Sequence, residues 1–424
     1  MEKTKAPWYY LLLVILAGET IFFLPYVLSR VFRPTILDVF QIDNVELGIC
    51  FSVYGFVAIA SYLFGGPIAD RYPARKLISL ALWLTALGGV YYASYPSYFG
   101  LKVLYGYWGF TSVFLFWAPM IKAARLWGTS HSQLRAFGFL EGGRGLVGAA
   151  MGTLGVLVFA FFMGQGISSP SLEESRMAFQ PVIYSSSIIV SLSGVLVWFF
   201  MRLDDEQERK VVVNEISIKE LKVVLKIPSV LLLMVIVLCA YMGYKTTDVI
   251  SLFSKEVMSY NDVKSAQVAT FLLCARPIIA LLLALFFIRI RITLLLSFGF
   301  VVSFFAALIF ALGLVTHSTI FLFVLSIIML SIGVYGLRAL YFSVMEKGNI
   351  PLVYTGTAVG LISIIGYAPD IFSGPMTGYF LDQYSGIQGY QYVFAVLAFF
   401  SCIGAIASWR FHRLFGKTKN NSTE

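Results

Sequence analysis

The sequence predicts an all-α integral membrane protein: twelve transmembrane helices in two pseudo-symmetric six-helix bundles. Three observations carry this. Apolar residues make up 59% of the 424 residues and charged residues only 12%, about half the charge of an ordinary soluble domain. Apolar runs of about 20 residues, the length that crosses a bilayer, recur along the whole chain. The basic residues fall in short clusters between those runs, dense and sparse by turns, as alternate sides of a membrane require.

The first run, Trp8 to Val31, follows Lys3 and Lys5, is longer than the apolar core of a secretion signal, holds Glu19, and is followed by no small-residue cleavage site. It reads as a first spanning helix. Eleven further spans are predicted near 45–69, 76–97, 100–125, 136–163, 178–202, 229–253, 264–288, 292–315, 318–345, 352–381 and 389–412. Short connections at Asp70 to Arg75, Arg289 to Arg291 and Glu346 to Pro351 make their neighbours antiparallel. The longest polar connection, Arg202 to Lys226, divides the chain into a bundle over 1–202, a linker over 203–227 and a bundle with a short tail over 228–424. Within it, Val211 to Val224 has amphipathic spacing and reads equally as a surface helix or a solvated linker.

With both termini inside, cytoplasmic segments hold about 21 Lys and Arg residues, whereas external segments hold six: Arg30, Arg33, Lys102, Arg176, Lys255 and Lys264. The expected location is therefore the cytoplasmic (inner) membrane, crossed many times, with both termini cytoplasmic. The formal charge of +9 is dispersed in this topological pattern and does not suggest nucleic acid. Cys50, Cys239, Cys274 and Cys402 lie inside apolar runs, and His131, His317 and His412 are scattered, so the spacing suggests no metal and no cofactor. No triad order and no phosphate-cradling glycine loop with Lys is present, which argues against an enzyme and against ATP as an energy source.

Helices five and eleven hold equivalent places in the two halves and are both glycine-rich. The fifth carries Gly138, Gly142, Gly145, Gly148, Gly152 and Gly155; the eleventh carries Gly356, Gly360, Gly366, Gly374 and Gly378. Small residues at this spacing let helix backbones approach closely inside a bilayer.

The turn Gly66-Pro67-Ile68-Ala69-Asp70-Arg71-Tyr72-Pro73-Ala74-Arg75-Lys76, set between helices two and three of twelve, resembles the signature of the major facilitator superfamily. Gly66, Asp70, Arg71, Arg75 and Lys76 sit well in that pattern. Pro73 and Ala74 depart from it. The resemblance implies secondary transport by alternating access, in which two bundles rock about a midplane site, and it makes Gly66, Asp70, Arg71 and Arg75 a conformational latch facing the start of helix eleven near Tyr354. The equivalent Arg289-Ile290-Arg291 turn lacks the acid, so the latch is one-sided. Helix eleven, with Gly366-Tyr367-Ala368-Pro369-Asp370, resembles the members that move small organic anions, sugar acids or nitrate-like ions.

A charge at bilayer depth costs a few kcal/mol or more and needs a partner or a wet cavity. Four acids (Glu19, Glu141, Asp248, Asp370) and four bases (Arg144, Lys245, Arg276, Arg338) fall within the spans. The balance points to ion pairs that form, break or take protons. Glu19 lies about eleven residues, roughly 17 Å, into a hydrocarbon core about 30 Å thick, and is a proton or cation site unless it is a neutral residue bonded to a neighbouring helix. Asp370, after Pro369, is a second proton carrier at an expected kink. Lys245 and Asp248 share a face of helix seven and form either an internal bridge or part of the substrate and coupling site. Arg276, directly before Pro277, reads as an anion fork at a helix break; its competing role is to pair an acid such as Asp370. Glu141 and Arg144 share a face of helix five and suit a lock between bundles. Arg338 either lines the cavity or snorkels to the surface. Tyr105 and Trp108 on helix four are further candidate substrate contacts.

These features predict a secondary active transporter of a small polar solute, an organic anion, driven by protons or another ion and working as a monomer in the lipid bilayer. Arg276, Lys245, Arg338, Tyr105 and Trp108 would bind substrate; Glu19, Asp370 and Asp248 would carry protons. A drug or metabolite efflux carrier and a non-transporting ligand sensor are the alternatives.

Overall fold

The structure, a computed structural model, describes residues 7–130, 133–163, 171–201, 223–286, 291–341, 344, 348, 350 and 355–416. Within these, the side chains of 63–67, 70, 71, 125, 126, 128–130, 133–138, 284–286, 355–357 and 359 are not described. All regular structure among the described residues is helical.

The spans lie where the apolar runs predict. The first is α1 (Trp8–Phe22) continued by a π-turn (Phe23–Val27) and α2 (Leu28–Val31); a short α3 (Arg33–Phe40) follows, which the sequence reading does not foresee. The second and third are α4 (Asn44–Arg71) and α5 (Ala74–Tyr92). The fourth is α6 (Tyr98–Gly109), a π-turn (Phe110–Phe114) and α7 (Trp117–Ser130). Then come α8 (Gln133–Met163) and α9 (Leu172–Phe200). The seventh span is α10 (Pro228–Thr246), a 3₁₀ turn (Thr247–Val249) and α11 (Ile250–Glu256). The eighth to tenth are α12 (Asp262–Phe286), α13 (Ile292–Ala311) and α14 (Ile320–Leu340). The eleventh is α15 (Thr355–Gly366) and α16 (Pro369–Gln383), and the last is α17 (Ile387–Phe415).

Among the described residues, nine helical stretches are long and apolar enough to cross a membrane on their own. The other three fall short for visible reasons. The fourth and eleventh spans are interrupted, and α5 begins with Arg75 and Lys76. The 211–224 stretch lies mostly outside the described residues.

Local chemistry sets the ends and the breaks. Asp43 caps α4, accepting from the Glu46 amide at 2.7 Å while the Glu46 carboxylate accepts from the Asp43 amide at 3.2 Å; Ser171 and Glu174 repeat this capping box at α9. Pro25 has no N–H to donate, and the helix ladder slips into a π-turn around it. In the fourth span, the hydroxyls of Ser112 and Thr111 both donate to the Trp108 carbonyl at 2.5 and 3.4 Å, which supports the second π-turn. Thr246 and Thr247 donate to the Met242 and Tyr244 carbonyls where the seventh span tightens to 3₁₀ geometry. The eleventh span breaks at Tyr367 and Ala368, directly before Pro369, because a residue preceding proline is pushed out of the helical region. Spans one, four and seven are thus all interrupted near their middles or far ends.

By backbone proximity the chain divides into two compact units. Unit 1 comprises Met1–Val213, Asp248–Pro277 and Asp370–Asp382; unit 2 comprises Asn214–Thr247, Ile278–Pro369 and Gln383–Glu424. The core of unit 1 is aliphatic and aromatic, with Tyr105, Trp108, Phe116 and Phe159 almost wholly enclosed. The core of unit 2 is built on Val237, Ile362, Phe300 and Phe411 from α10, α15, α13 and α17.

Candidate functional site

Four charged side chains form a closed ring inside unit 1. Glu19 comes from α1, Glu141 and Arg144 from α8, and Arg276 from α12. Arg144 Nε lies 3.3 Å from Glu19 Oε2, and Arg276 Nη1 lies 3.6 Å from Glu19 Oε1. Arg144 Nη1 and Arg276 Nη2 each lie 2.9 Å from a Glu141 oxygen. Acids and bases alternate around the ring, so its formal charge is zero. Three members are deeply buried, with side chains 4 to 7% exposed; Glu141, at 41%, is the accessible corner.

The glycines of α8 make the ring possible. A Cβ on Gly148 would sit 2.8 Å from Glu19 Oε1, and one on Gly145 would sit 3.1 Å from the Pro277 ring and 3.2 Å from Arg276 Cγ. With hydrogen in those places, α1 and α12 come close enough to α8 for their charges to meet on one face of it. The Phe22 ring, 5.5 Å from the Arg144 guanidinium, covers the ring on one side.

The expected break at Arg276 is not present. Helix α12 runs through Pro277 without interruption, and the proline ring packs on the bare Gly145 instead. Nor does the structure join Arg276 to Asp370. Arg276 meets Glu19 and Glu141, and Asp370 packs by its backbone and Cβ over Gly55 of α4.

Asp248 accepts from Arg30 Nε at 2.6 Å, with both side chains buried. Sequence reasoning misses this partner because Arg30 falls at the end of an apolar run and counts there as a loop charge. The bridge belongs to a polar seal at the end of unit 1 remote from Trp8. There Ser251 donates to the Arg30 carbonyl at 2.9 Å, Lys255 bridges Asp38 and Asp262, each at 2.9 Å, and Arg33 donates twice to Asn44 Oδ1. Asp382 accepts from the Asn44 and Val45 amides at the start of α4, where a helix favours a negative charge. Beneath this layer Gly48 and Gly374 meet backbone to backbone, Gly378 meets Asn44, and Ser52 donates to the Ile371 carbonyl.

The predicted latch is described only in part. The side chains of Gly66, Asp70 and Arg71, and all of Tyr354, lie outside the described residues. Arg75 lies over the Trp198 ring at 5.4 Å and donates to the Trp198 carbonyl at 3.4 Å. Beside the turn, buried Lys122 donates to the Ala69 carbonyl at 2.9 Å, capping the end of α4 as a cation should.

Tyr105 and Trp108 sit in the core of unit 1. Tyr105 Oη bonds Ser29 at 2.9 Å, and Trp108 Nε1 donates to the Thr85 carbonyl at 3.2 Å. Trp108 is wholly buried, so in this conformation both are packing residues with their polar tips occupied.

Unit 2 holds the two other predicted bases, Arg338 and Lys245. The Arg338 guanidinium lies 4.0 Å over the Tyr244 ring. Tyr244 stacks with Tyr241 at 5.7 Å and meets Tyr335 edge-on at 6.4 Å. Tyr241 meets Tyr367 at 4.8 Å, and Tyr367 shares a hydroxyl contact of 3.3 Å with Tyr341. Lys245, 6% exposed, follows Tyr244 on α10.

A helical membrane protein whose buried charges join several spans is built as secondary transporters are. Comparison with known proteins gives the family. The Major Facilitator Superfamily profile matches residues 13–374, and the chain belongs to that superfamily. Inner membrane protein YihN of Escherichia coli (strain K12) is 28% identical over 416 residues, covering 96% of this chain and 95% of its own. Inner membrane protein YqcE of the same organism is 25% identical over 398 residues, covering 91% and 89%. The nucleoside transporter NupG, in the structure of a mutant form, shares the fold with a TM-score of 0.72 at 14% identity, over 95% of this chain and 99% of its own. A bacterial homologue of the human lysosomal transporter Spinster, inward-facing and occupied, gives 0.70 at 17% identity over 96% and 97%.

Proposed function

We propose that this transporter is a proton-coupled carrier of a small polar organic anion, working by alternating access in the inner membrane with both termini cytoplasmic. The observation that carries the coupling is the position of Glu19 between Arg144 and Arg276. The ring holds two negative and two positive charges. Movement of α12 away from α1 and α8 would withdraw Arg276 and leave two carboxylates facing one base. An uncompensated buried charge costs several kcal/mol, and a proton on one carboxylate restores neutrality. Proton binding and helix movement are then one event, which is the linkage a coupled carrier needs.

The two-to-two balance also bears on the substrate. Arg276 faces carboxylates in this conformation; for an anion this reading draws on Arg338 and Lys245, the bases of unit 2 that fall within the spans. The polar layer around Arg30, Asp248, Asp38 and Asp382 lies at the end of unit 1 that this reading makes external. The excess of Lys and Arg in segments on the terminal side supports the orientation.

The test is uptake of labelled D-gluconate into proteoliposomes under an imposed pH gradient. The reading expects accumulation that follows the gradient in the native protein and is lost in Glu19→Gln, with counterflow exchange retained. Accumulation in Glu19→Gln that still follows the gradient would remove Glu19 from the mechanism.

A further inference from the structure

We infer that an anionic phospholipid of the cytoplasmic leaflet binds unit 2 at the paired ends of α13 and α17, its phosphate held by Arg291, Arg410 and Arg413 beside Trp409. The inference is independent of the cargo and of Glu19. The proposed orientation enters only in naming the leaflet.

The two helices are fixed to each other in antiparallel register. Thr293 Oγ1 lies 2.6 Å from His412 Nδ1, and one turn further in Ser408 donates to Ser297 Oγ at 3.1 Å. Another turn in, Gly404 lies against the Phe300 ring, which occupies the place a Cβ would take. Steps of three or four residues keep these contacts on one face of each helix. The helix ends are thereby held side by side. Arg291 stands two residues before Thr293, and Arg410 and Arg413 flank His412 in sequence. Arg291 is close enough to His412 for the two to interact electrostatically.

The charge at this end is of one sign. Neither α13 nor α17 contains an Asp or Glu, and Arg291, Arg410 and Arg413 are all exposed. Among the described residues these three enter no ion pair, in contrast to Arg144 and Arg276. The patch also runs on into the bilayer. On α17, Phe399, Ile406, Trp409 and Arg413 are exposed at helical spacing, and on α13 Leu294 and Phe298 are exposed below Arg291. Hydrocarbon gives way to an indole and then to guanidinium groups, the order of a lipid's chains, interface and phosphate. Arg413 lies over the half-exposed Trp409 ring at 5.7 Å, which ties the outermost base to the interface residue. A soluble anion would use the bases and not the stripe, and a neutral lipid the stripe and not the bases. An anionic phospholipid uses both, and basic sites between helices on the cytoplasmic side take such headgroups.

The experiment places the full-length protein in vesicles of mixed phosphatidylglycerol and phosphatidylcholine, with bromine high on the acyl chains of one lipid or the other. Bromine quenches an indole only at close range. The part of the quenching that disappears in Trp409→Phe reports this site among the seven tryptophans. The expected result is a preference of Trp409 for brominated phosphatidylglycerol of roughly fivefold or more, the contribution of about one base at an anionic surface. Arg410→Gln with Arg413→Gln should remove most of that preference, whereas Arg410→Lys with Arg413→Lys, which keeps the charge, should retain most of it. Equal quenching by the two lipids in the native protein, or a preference that survives the Gln pair, would overturn the inference. Loss of the preference in the Lys pair as well would trace it to the shape of the helix end and not to charge, and would also overturn it. So would displacement by inorganic phosphate beyond that caused by chloride at equal ionic strength, which would assign the patch to a soluble anion.

Discussion

Bases within the spans meet different neighbours in the two units. In unit 1, Arg144 and Arg276 face carboxylates, and each guanidinium directs N–H donors at Glu19 and Glu141. In unit 2, Arg338 lies over the Tyr244 ring at 4.0 Å. A closed acid–base ring is a device that stores a conformation and changes state when one member leaves. A stacked guanidinium is a device that orients a fork. Under the proposed function the ring serves coupling, and Arg338 is a candidate for recognition.

The largest effect that would break this contrast is removal of a ring base. Arg144→Ala leaves Glu19 and Glu141 facing one guanidinium, and loss of one partner from a buried pair costs about 3–5 kcal/mol. Thermal denaturation in detergent should show the greatest drop for this variant, and Glu19→Gln combined with Arg144→Gln should recover much of it. A drop in the double variant equal to the sum of the two single drops would mean that the ring is not a unit.

A smaller effect is expected from crowding the ring without touching its charges. Gly148→Ala places a methyl 2.8 Å from Glu19 Oε1, and overpacking of this kind costs about 1–3 kcal/mol. The same denaturation assay checks it. By contrast Arg338→Lys keeps the charge and gives up the cation–π contact with Tyr244, worth about 0.5–2 kcal/mol, so its drop should be smaller than that of Arg144→Ala. The smallest effect is a gain: Gly142 has open space where a Cβ would be built, so Gly142→Ala should stabilise by about 0.5–1 kcal/mol through helix propensity. Opposite signs for Gly142→Ala and Gly148→Ala, within two turns of one helix, would isolate the ring as the cause.

The spans were legible because a bilayer permits few alternatives: the positions of α1, α4, α8 and α14 follow from apolar run length alone. The glycines of α8 were legible as a close-approach surface, and the structure gives that surface an object in Glu19 and Arg276. Partner choice was not legible. Glu141 and Arg144 are three apart and announce each other, but Glu19 and Arg276 lie on separate helices far apart in sequence, and spacing carries no signal about which helices touch. Arg30 was hidden for a related reason. Its neighbours read as an external boundary, and only the fold brings Asp248 to it. Pro277 misled because proline's effect on a helix depends on what stands beside it. With Gly145 opposite, the ring fits and α12 continues. Tyr105 and Trp108 were drawn to the site by their chemistry, but Thr85 and Ser29, which engage their polar ends, are recognisable only once α5 and α2 are folded against α6.

The central claim is that Glu19 ties proton movement to the helix movement of transport. It is tested most directly by labelled D-gluconate in proteoliposomes, measuring gradient-driven accumulation and counterflow side by side in the native protein and Glu19→Gln. The account predicts both activities in the native protein and counterflow alone in the variant. Accumulation by Glu19→Gln that still rises with the imposed proton gradient would contradict it.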